Sequence, residues 1–182
     1  MNFCSQCGKN VELKIPDGDN RERHVCGHCN TIHYQNPNIV AGCLPVWEDK
    51  VLLCKRAIEP RHGFWTLPAG FMENNETLEQ AATRESVEEA NANLEISNLY
   101  TVISLPHLNQ IYMLYLAKLV DLNFSAGPES LDVQLFTEEQ IPWENLAFRT
   151  IDFTLKRYFE DRKNNLFPLH SSFIEKHNRY QK

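Results

Sequence analysis

Two closely spaced cysteine pairs near the start of the chain constrain its fold more than any other feature. Cys4 and Cys7 form the first pair, Cys26 and Cys29 form the second, and residues 8–25 lie between them. Two residues separate the members of each pair, so a tight turn can direct both thiolates at one ion. This spacing is typical of a four-cysteine zinc ribbon, and we predict one tetrahedral zinc site formed by all four cysteines.

Residues 1–35 are too few to fold around an apolar core, whereas a structural zinc contributes about 10–16 kcal/mol of binding free energy to folding. We expect Gly8 and Gly27 to give the two turns their backbone freedom. The alternative is a redox dithiol, but two matched pairs without a βαβ pattern favour zinc. Cys43 and Cys54 occur singly in apolar runs and are expected to be buried thiols.

The charge of the chain provides no electrostatic reason to bind nucleic acid or an anionic membrane. The formal net charge is -6, and the charges of the predicted ribbon cancel, with Lys9, Lys14, Arg21 and Arg23 against Glu12, Asp17, Asp19 and Glu22. No apolar run approaches the length of about 18 residues that spans a membrane, and the N-terminus lacks the features of a signal peptide. We therefore expect a cytoplasmic protein without a nucleic-acid partner.

The remainder of the chain alternates strand-like and helical patterns. Two strand-like runs joined at Glu48-Asp49 predict a hairpin, and a capping box formed by Thr77 and Gln80 begins a helix over 77–90. Further strands are predicted at 94–105, 110–120 and 131–136, a short turn or helix at 138–143, and a second helix at 146–163. This order predicts an α/β fold whose mixed sheet is covered on both faces. The predicted domains are a ribbon at 1–35, a main domain at 36–163 and a tail at 164–182.

The predicted helix over 77–90 carries acidic residues where an amphipathic helix should be apolar. At about 100° per residue, Glu85 and Glu89 continue the stripe of Leu78 and Ala82, and Glu88 lies beside it. Each like-charge pair costs about 0.2–0.5 kcal/mol on an isolated helix. A solvated helix face is one interpretation. The other is a carboxylate cluster that binds Mg²⁺ or Mn²⁺, because a hard divalent cation would relieve the repulsion.

A longer pattern favours the metal-binding interpretation. The spacing of Gly70, Glu76, Arg84, Glu85, Glu88 and Glu89 is similar to the Nudix box, G-x5-E-x7-R-E-U-x-E-E-x-G-U, where U is apolar. The chain departs from the box at Ser86 and Ala92, which replace apolar residues, and at Asn91, which replaces a glycine. Asparagine tolerates the left-handed conformation that glycine usually supplies there. The resemblance implies an α/β/α Nudix sandwich that hydrolyses a nucleoside diphosphate linked to another moiety.

The resemblance also implies roles for individual residues. The expected ligands of Mg²⁺ or Mn²⁺ are Glu85, Glu88, Glu89, the carbonyl of Ala69, and Glu129, with Asp132 as a weaker alternative to Glu129. Arg84 is expected to complete the catalytic set and to pair with Glu76. The bound cations would neutralise the phosphoryl oxygens and orient an attacking water, whose proton either Glu88 or Glu89 would accept.

The substrate is expected to be a dinucleotide. A four-cysteine ribbon before a Nudix domain resembles the NADH pyrophosphatases, but the SQPWPFPxS array of those enzymes is absent. The stretches YQNP, VLLCKR, WTLPAG and GPESL make the chain more similar to plant chloroplast-type zinc-ribbon Nudix hydrolases that act on FAD and ADP-ribose. Hydrolysis of FAD to FMN and AMP is therefore the first expectation, and ADP-ribose the second. The alternatives are an NADH pyrophosphatase and a non-catalytic regulator that senses nucleotides or binds nucleic acid.

Substrate contacts are expected from aromatic and polar side chains near the box. The candidates are Trp65, Tyr112 and Phe148, which offer stacking surfaces, and Gln110, which offers a polar contact. Single aromatic residues are more often part of the core, and this is the alternative for each of the three. A homodimer is also expected, because homodimers are common in the family.

Overall fold

The computed structural model describes residues 1–176, and the chain divides into two compact units, the first of which is Met1–Pro37. This first unit is a three-stranded antiparallel sheet of β1 (Val11–Lys14), β2 (Arg23–Cys26) and β3 (Ile32–His33), in the order β1-β2-β3. A hairpin joins β1 to β2, with Val11 opposite Cys26. Cys4 and Cys26 are among the few buried residues here, as expected where a metal ion replaces an apolar core.

The second unit begins at Asn38 and contains a mixed sheet with the path order β10-β5-β4-β9-β8-β11. Its strands are β4 (Asn38–Trp47), β5 (Lys50–Arg56), β6 (Trp65–Thr66), β7 (Ala69–Phe71), β8 (Leu94–Leu105), β9 (Gln110–Leu119), β10 (Ser130–Phe136) and β11 (His170–Phe173). The pairs β4–β9 and β8–β11 are parallel, and the other pairs are antiparallel. Strands β6 and β7 pair with β5 and β4, respectively.

Two helices, α1 (Leu78–Ala90) and α2 (Arg149–Arg162), cover opposite faces of this sheet. Alternate side chains of β4 make the division clear, because successive residues of a strand point to opposite faces. Ala41 and Cys43 pack with α1, whereas Leu44 belongs to the larger core formed with α2. The predicted α/β/α sandwich with a mixed sheet is therefore confirmed.

The ends of the two helices differ in how well the sequence predicted them. Thr77 is the N-cap of α1 and forms the predicted capping box with Gln80. The second helix begins at Arg149 rather than at residue 146, because the preceding residues are tied to a strand. The N–H of Ala147 donates to the carbonyl of Trp65, and Leu146 forms an isolated bridge with the same residue.

The sequence did not predict a strand after α2, where the structure contains β11. Residues His170–Phe173 pair in parallel with β8, with His170 opposite Thr101. A side-chain network fixes this strand, since Asp161 accepts hydrogen bonds from Tyr100 at 2.8 Å and contacts His170 at 2.7 Å. Within residues 1–176, no helix is both long enough and apolar enough to cross a bilayer.

Candidate active site and zinc centre

The four cysteines of the first unit form a compact group of sulfur atoms. All four Sγ atoms lie within 4.8 Å of one another, with Cys4 and Cys29 at 3.6 Å and Cys7 and Cys26 at 3.5 Å. A tetrahedral zinc ion with Zn–S bonds of about 2.3 Å requires sulfur atoms roughly 3.8 Å apart. The spacing and the chemistry of this donor set therefore fit a structural zinc ion.

The two cysteine turns have the same backbone geometry. The N–H groups of Gly8 and Asn30 donate to the carbonyls of Cys4 and Cys26, each at 2.9 Å. Gly8 has a φ of 71° and Asn30 a φ of 58°, so the left-handed residue of the second turn is Asn30 rather than the expected Gly27. Asparagine is tolerated in this conformation because its short polar side chain bonds locally.

Neighbouring polar groups also support the sulfur atoms. The ring of His33 places Nε2 3.3 Å from Cys4 Sγ, and the Thr31 hydroxyl lies 3.1 Å from Cys29 Sγ. Hydrogen bonding from Thr31 lowers the pKa of the Cys29 thiol to about 6, which favours the thiolate that binds metal. Partners of this kind orient metal ligands and adjust their basicity.

In the second unit, helix α1 buries two of its glutamates. Glu85 is 9% exposed and Glu89 is 6% exposed, whereas Glu88 is exposed. Burial raises the pKa of Glu89 to about 8, and the charge of Glu85 adds to the increase. Burial also raises the pKa of Glu85, although Arg84 opposes this shift. Two buried carboxyl groups of like charge create a strong local demand for a cation.

The position of these glutamates within the helix increases that demand. All three lie in the C-terminal half of α1, where the aligned peptide dipoles produce a negative potential, and the last turn has no basic residue. A divalent cation bound there would be stabilised by the carboxylates and by the helix end together. Oxygen ligands of this kind fit Mg²⁺ or Mn²⁺.

Arg84 joins the loop before α1 to the acidic residues on the helix. Its Nε and Nη2 donate to the two carboxylate oxygens of Glu76 at 3.1 and 2.8 Å, and its Nη1 donates to Glu85 at 2.7 Å and to Glu88 at 3.0 Å. This pairing lowers the pKa of Glu76 to about 2. Arg84 also donates to the Phe71 carbonyl at 3.1 Å. It therefore fixes the loop over 71–76 against the helix.

Gly70 leaves room for the Glu85 carboxylate to approach the β7 backbone closely. A Cβ atom at residue 70 would collide with the carboxylate of Glu85. Ala69, the neighbouring residue of β7, provides a backbone hydrogen bond that lowers the pKa of Glu89. The structure thus brings the main chain of β7 to the buried carboxylates.

Glu129 belongs to the same acidic group. Its negative charge is among the causes that raise the pKa of Glu85 and of Glu89. The weaker candidate, Asp132, instead accepts hydrogen bonds from the Val133 N–H at 2.8 Å and from Gln134 at 2.6 Å. Between the two candidates, the structure favours Glu129 as the acid that faces the helix.

The carboxylates are less tightly grouped than the cysteines. Over residues 1–176, only the four cysteines form a set of three or more candidate ligand atoms that all lie within 4.8 Å of one another. Glu85, Glu89, Glu129 and the main chain of Ala69 are brought together, and Glu88 lies at the exposed side. The carboxylate oxygens would therefore move closer together when they bind a cation.

The expected substrate contacts divide into two groups. Trp65 is a packing residue, because its ring lies edge-on to Phe136 at 4.9 Å and packs against the core on the α2 side. Tyr112 also packs against a small apolar cluster, and burial raises its pKa, with smaller opposing effects from the charges of Arg56 and Glu89. Gln110 lies two residues before Tyr112 on β9 and so points to the same face.

Arg56 is a functional candidate that the sequence analysis missed. Its guanidinium lies 5.1 Å from the ring centre of Phe148, and its charge opposes the increase in pKa that burial causes at Glu89 and at Tyr112. Arg56 thus relates two of the predicted stacking residues, Phe148 and Tyr112, to the acidic group. The only sequence signal was a basic residue at the end of the apolar run VLLC, and nothing in that run indicated that α1 lies nearby.

Comparisons with known proteins match both units. Residues 2–35 match a zinc-ribbon family model described as Nudix N-terminal, and residues 36–158 match the NUDIX domain. The NAD-capped RNA hydrolase NudC of Vibrio vulnificus (strain CMCP6) is 34% identical over 152 residues, covering 78% of this chain and 53% of that protein. NudC of Edwardsiella ictaluri (strain 93-146) is 36% identical over 106 residues, 57% of this chain and 38% of that protein. The chain therefore spans about half or less of these relatives.

Solved structures show the same fold. A NUDIX hydrolase from Nitrosomonas europaea is 60% identical, with a TM-score of 0.94 over 97% of this chain and 100% of that chain. An ADP-ribose pyrophosphatase from Streptococcus suis is 17% identical, with a TM-score of 0.60 over 76% of this chain and 100% of that chain. The second likeness supports the fold alone.

Proposed function

The chain belongs to the Nudix hydrolase family, with a zinc ribbon before its Nudix domain, and from this premise we propose that it cleaves the diphosphate linkage of an adenine dinucleotide, with NADH as the leading candidate. The observation that carries the chemistry is the group of Glu85, Glu89 and Glu129, two of them buried, beside the β7 backbone. When bound, Mg²⁺ or Mn²⁺ would neutralise phosphoryl oxygens and lower the pKa of a water molecule.

Residues of the chain then perform distinct tasks. Glu85, Glu88, Glu89, Glu129 and the Ala69 carbonyl would hold the divalent cations. Arg56 would bind the diphosphate oxygens, since it is the cation that affects both Glu89 and Tyr112. Glu88 and Glu89 remain the two candidates for the base. Glu88 is exposed and reachable by water, whereas Glu89 is buried and has a raised pKa.

The NADH assignment is supported by two observations. The curated relatives that cover most of this chain are named as hydrolases of NAD-capped RNA, and a ribbon of four cysteines precedes the catalytic domain. Cleavage of NADH at its diphosphate gives AMP and reduced nicotinamide mononucleotide. Phe148, whose ring lies 5.1 Å from the Arg56 guanidinium, and Tyr112, whose pKa responds to the charge of Arg56, would then contact the bases.

FAD and ADP-ribose form the second candidate, favoured by a specific sequence observation. The region after the box reads YTVISLPHLNQIYMLYLAKL and lacks the SQPWPFPxS array of NADH hydrolases. The similarity to plant zinc-ribbon enzymes points to the same two substrates. Since these substrates share the diphosphate chemistry, pocket walls rather than the acidic group must discriminate between them.

A substrate panel tests the proposal. We would compare kcat/KM for NADH, NAD, FAD and ADP-ribose in Mg²⁺, with the Glu89→Gln variant as the control for catalysis by this site. A tenfold preference for NADH, about 1.4 kcal/mol in transition-state binding, would support the leading candidate. A kcat/KM for FAD or ADP-ribose that equals or exceeds the value for NADH would refute the NADH assignment and leave the diphosphate chemistry intact.

Two further measurements test whether the protein is a non-catalytic regulator and whether it acts on RNA. If no dinucleotide is hydrolysed and the protein binds RNA with a strong salt dependence, a non-catalytic regulator is the better interpretation. Hydrolysis of NAD-capped RNA would contradict the expectation that the chain has no nucleic-acid partner, which rests on its charge of -6.

We also propose the domain limits 1–35, 36–163 and 164–182, and a cytoplasmic homodimer. The strand β11 lies inside the third range and pairs with the main sheet. Deletion of residues 164–182 is therefore expected to destabilise the second domain. Light scattering of the purified protein tests the dimer.

A further inference from the structure

Asn91 replaces the glycine of the Nudix box, and its side chain forms hydrogen bonds that a glycine lacks. The residue ends α1 in the left-handed conformation, with a φ of 47° and a ψ of 30°. Its Nδ2 donates to the carbonyl oxygen of Ser125 at 3.2 Å and lies 3.1 Å from the Ser125 hydroxyl. A glycine would adopt this backbone conformation equally well but would lack both side-chain contacts to Ser125.

Residues 125–129, which we name the capping segment, satisfy the backbone at the end of α1. The N–H of Ser125 donates to the Ala90 carbonyl at 2.9 Å, and the N–H of Gly127 donates to the Glu89 carbonyl at 3.0 Å. The last carbonyls of a helix have no partner within it, so the segment supplies the missing donors. The approach is so close that a Cβ atom at residue 127 would overlap the carbonyl of Glu88.

The capping segment ends in Glu129, whose main chain is held on two sides. The Glu129 carbonyl accepts a hydrogen bond from the Ala57 N–H at 2.8 Å, just after β5, and the Ser130 N–H donates to the Gly127 carbonyl at 3.0 Å. Glu129 therefore follows Gly127, which contacts the backbone of Glu88 and Glu89, by two residues. A shift of the segment along α1 would move the Glu129 carboxylate away from Glu85 and Glu89.

From this geometry we propose that Asn91 is a positioning residue, which holds the capping segment on the end of α1 and so keeps Glu129 in place as a ligand of the divalent cation. The inference rests on the proposed function, because it concerns the same metal-binding site. Asn91 touches neither the substrate nor the cation in this proposal. Its effect passes through the backbone of Ser125 and Gly127 to Glu129.

The test is Mn²⁺ binding, measured directly by the electron paramagnetic resonance signal of free Mn²⁺, without substrate. Asn91→Gly keeps the left-handed helix end and removes only the tether, and we expect it to raise the Kd for Mn²⁺ about fivefold, the effect of about one net hydrogen bond. Asn165→Gly is the matched control. Asn165 also has a positive φ, 50°, but lies after α2 and is exposed.

A double-mutant cycle separates positioning from general destabilisation. If Asn91 acts through Glu129, the Asn91→Gly change has no further effect on Mn²⁺ affinity in a Glu129→Gln background. The positioning role would be overturned if Asn91→Gly bound Mn²⁺ as tightly as the wild type, or if it lost the same affinity in both backgrounds. In either case, Mn²⁺ binding by the wild-type protein would leave the proposed function standing. A wild-type protein that binds no Mn²⁺ at this site would overturn both.

Discussion

Replacing Glu89 with glutamine is expected to stabilise the protein at neutral pH while abolishing most of its activity. Burial raises the pKa of the Glu89 carboxyl to about 8, against an ordinary value of 4.5. Between these two values the unfolded chain loses the proton that the folded chain keeps, so the free energy of unfolding falls by about 1.36 kcal/mol per pH unit. At pH 7 this amounts to about 3 kcal/mol, and the loss levels off above pH 8. Glutamine keeps the size of the side chain and removes the titration.

The assay is urea unfolding of both proteins between pH 5 and pH 8, without added divalent cation and without a chelator, which would also remove the zinc. The stability advantage of Glu89→Gln should grow with pH across this range. Glu88→Gln is the matched control, because Glu88 is an exposed neighbour on the same helix. Added Mg²⁺ should stabilise the wild type more than Glu89→Gln, since a ligand stabilises the folded state that binds it. An advantage independent of pH would refute the reasoning from burial.

The other predictions concern the zinc site, Arg56 and Gly70. Cys26→Ser should lose the zinc, measured by metal analysis, and lower the stability of the first unit; retention of both would contradict a structural zinc. Arg56→Ala should lower kcat/KM by about 10–100-fold, the effect of a lost charge-assisted hydrogen bond, with Lys55→Ala as a near-neutral control. Gly70→Ala should displace the Glu85 carboxylate and lower activity at least about tenfold, with a stability loss of about 1–3 kcal/mol in urea unfolding. Wild-type kinetics in Gly70→Ala would refute the steric argument.

The features that the sequence predicted well are those set by neighbours along the chain. The capping box at Thr77 and the two cysteine pairs each depend on residues three positions apart, and the structure contains both. Strand β11 and the start of α2 depend instead on distant partners, β8 and Trp65. Arg56 was missed for the same reason, because its proximity to Glu89 exists only after β5 and α1 have packed together.

The two departures from the Nudix box inside α1 and at its end have physical explanations that the sequence alone did not provide. Ser86 stands where the box has an apolar residue, and it is fully buried. Its hydroxyl donates to the Ala82 carbonyl at 2.8 Å, so the burial leaves no unpaired polar group. At the end of the helix, Asn91 keeps the left-handed conformation of glycine and adds the bond to Ser125.

The stripe of α1 shows how one helix serves both the core and the site. Ala81 and Ala82 pack against the sheet, while Glu85 and Glu89 follow on the same buried side with raised pKa values. A helix chosen for stability alone would have apolar residues at these positions. Here acids occupy them instead, and two glycines contact this part of the helix closely. Gly70 lies against the Glu85 carboxylate, and Gly127 lies against the Glu88 carbonyl. Gly70 thus leaves room for a carboxylate and Gly127 for the main chain at the end of α1, so both neighbouring segments approach the part of the helix that carries the acids.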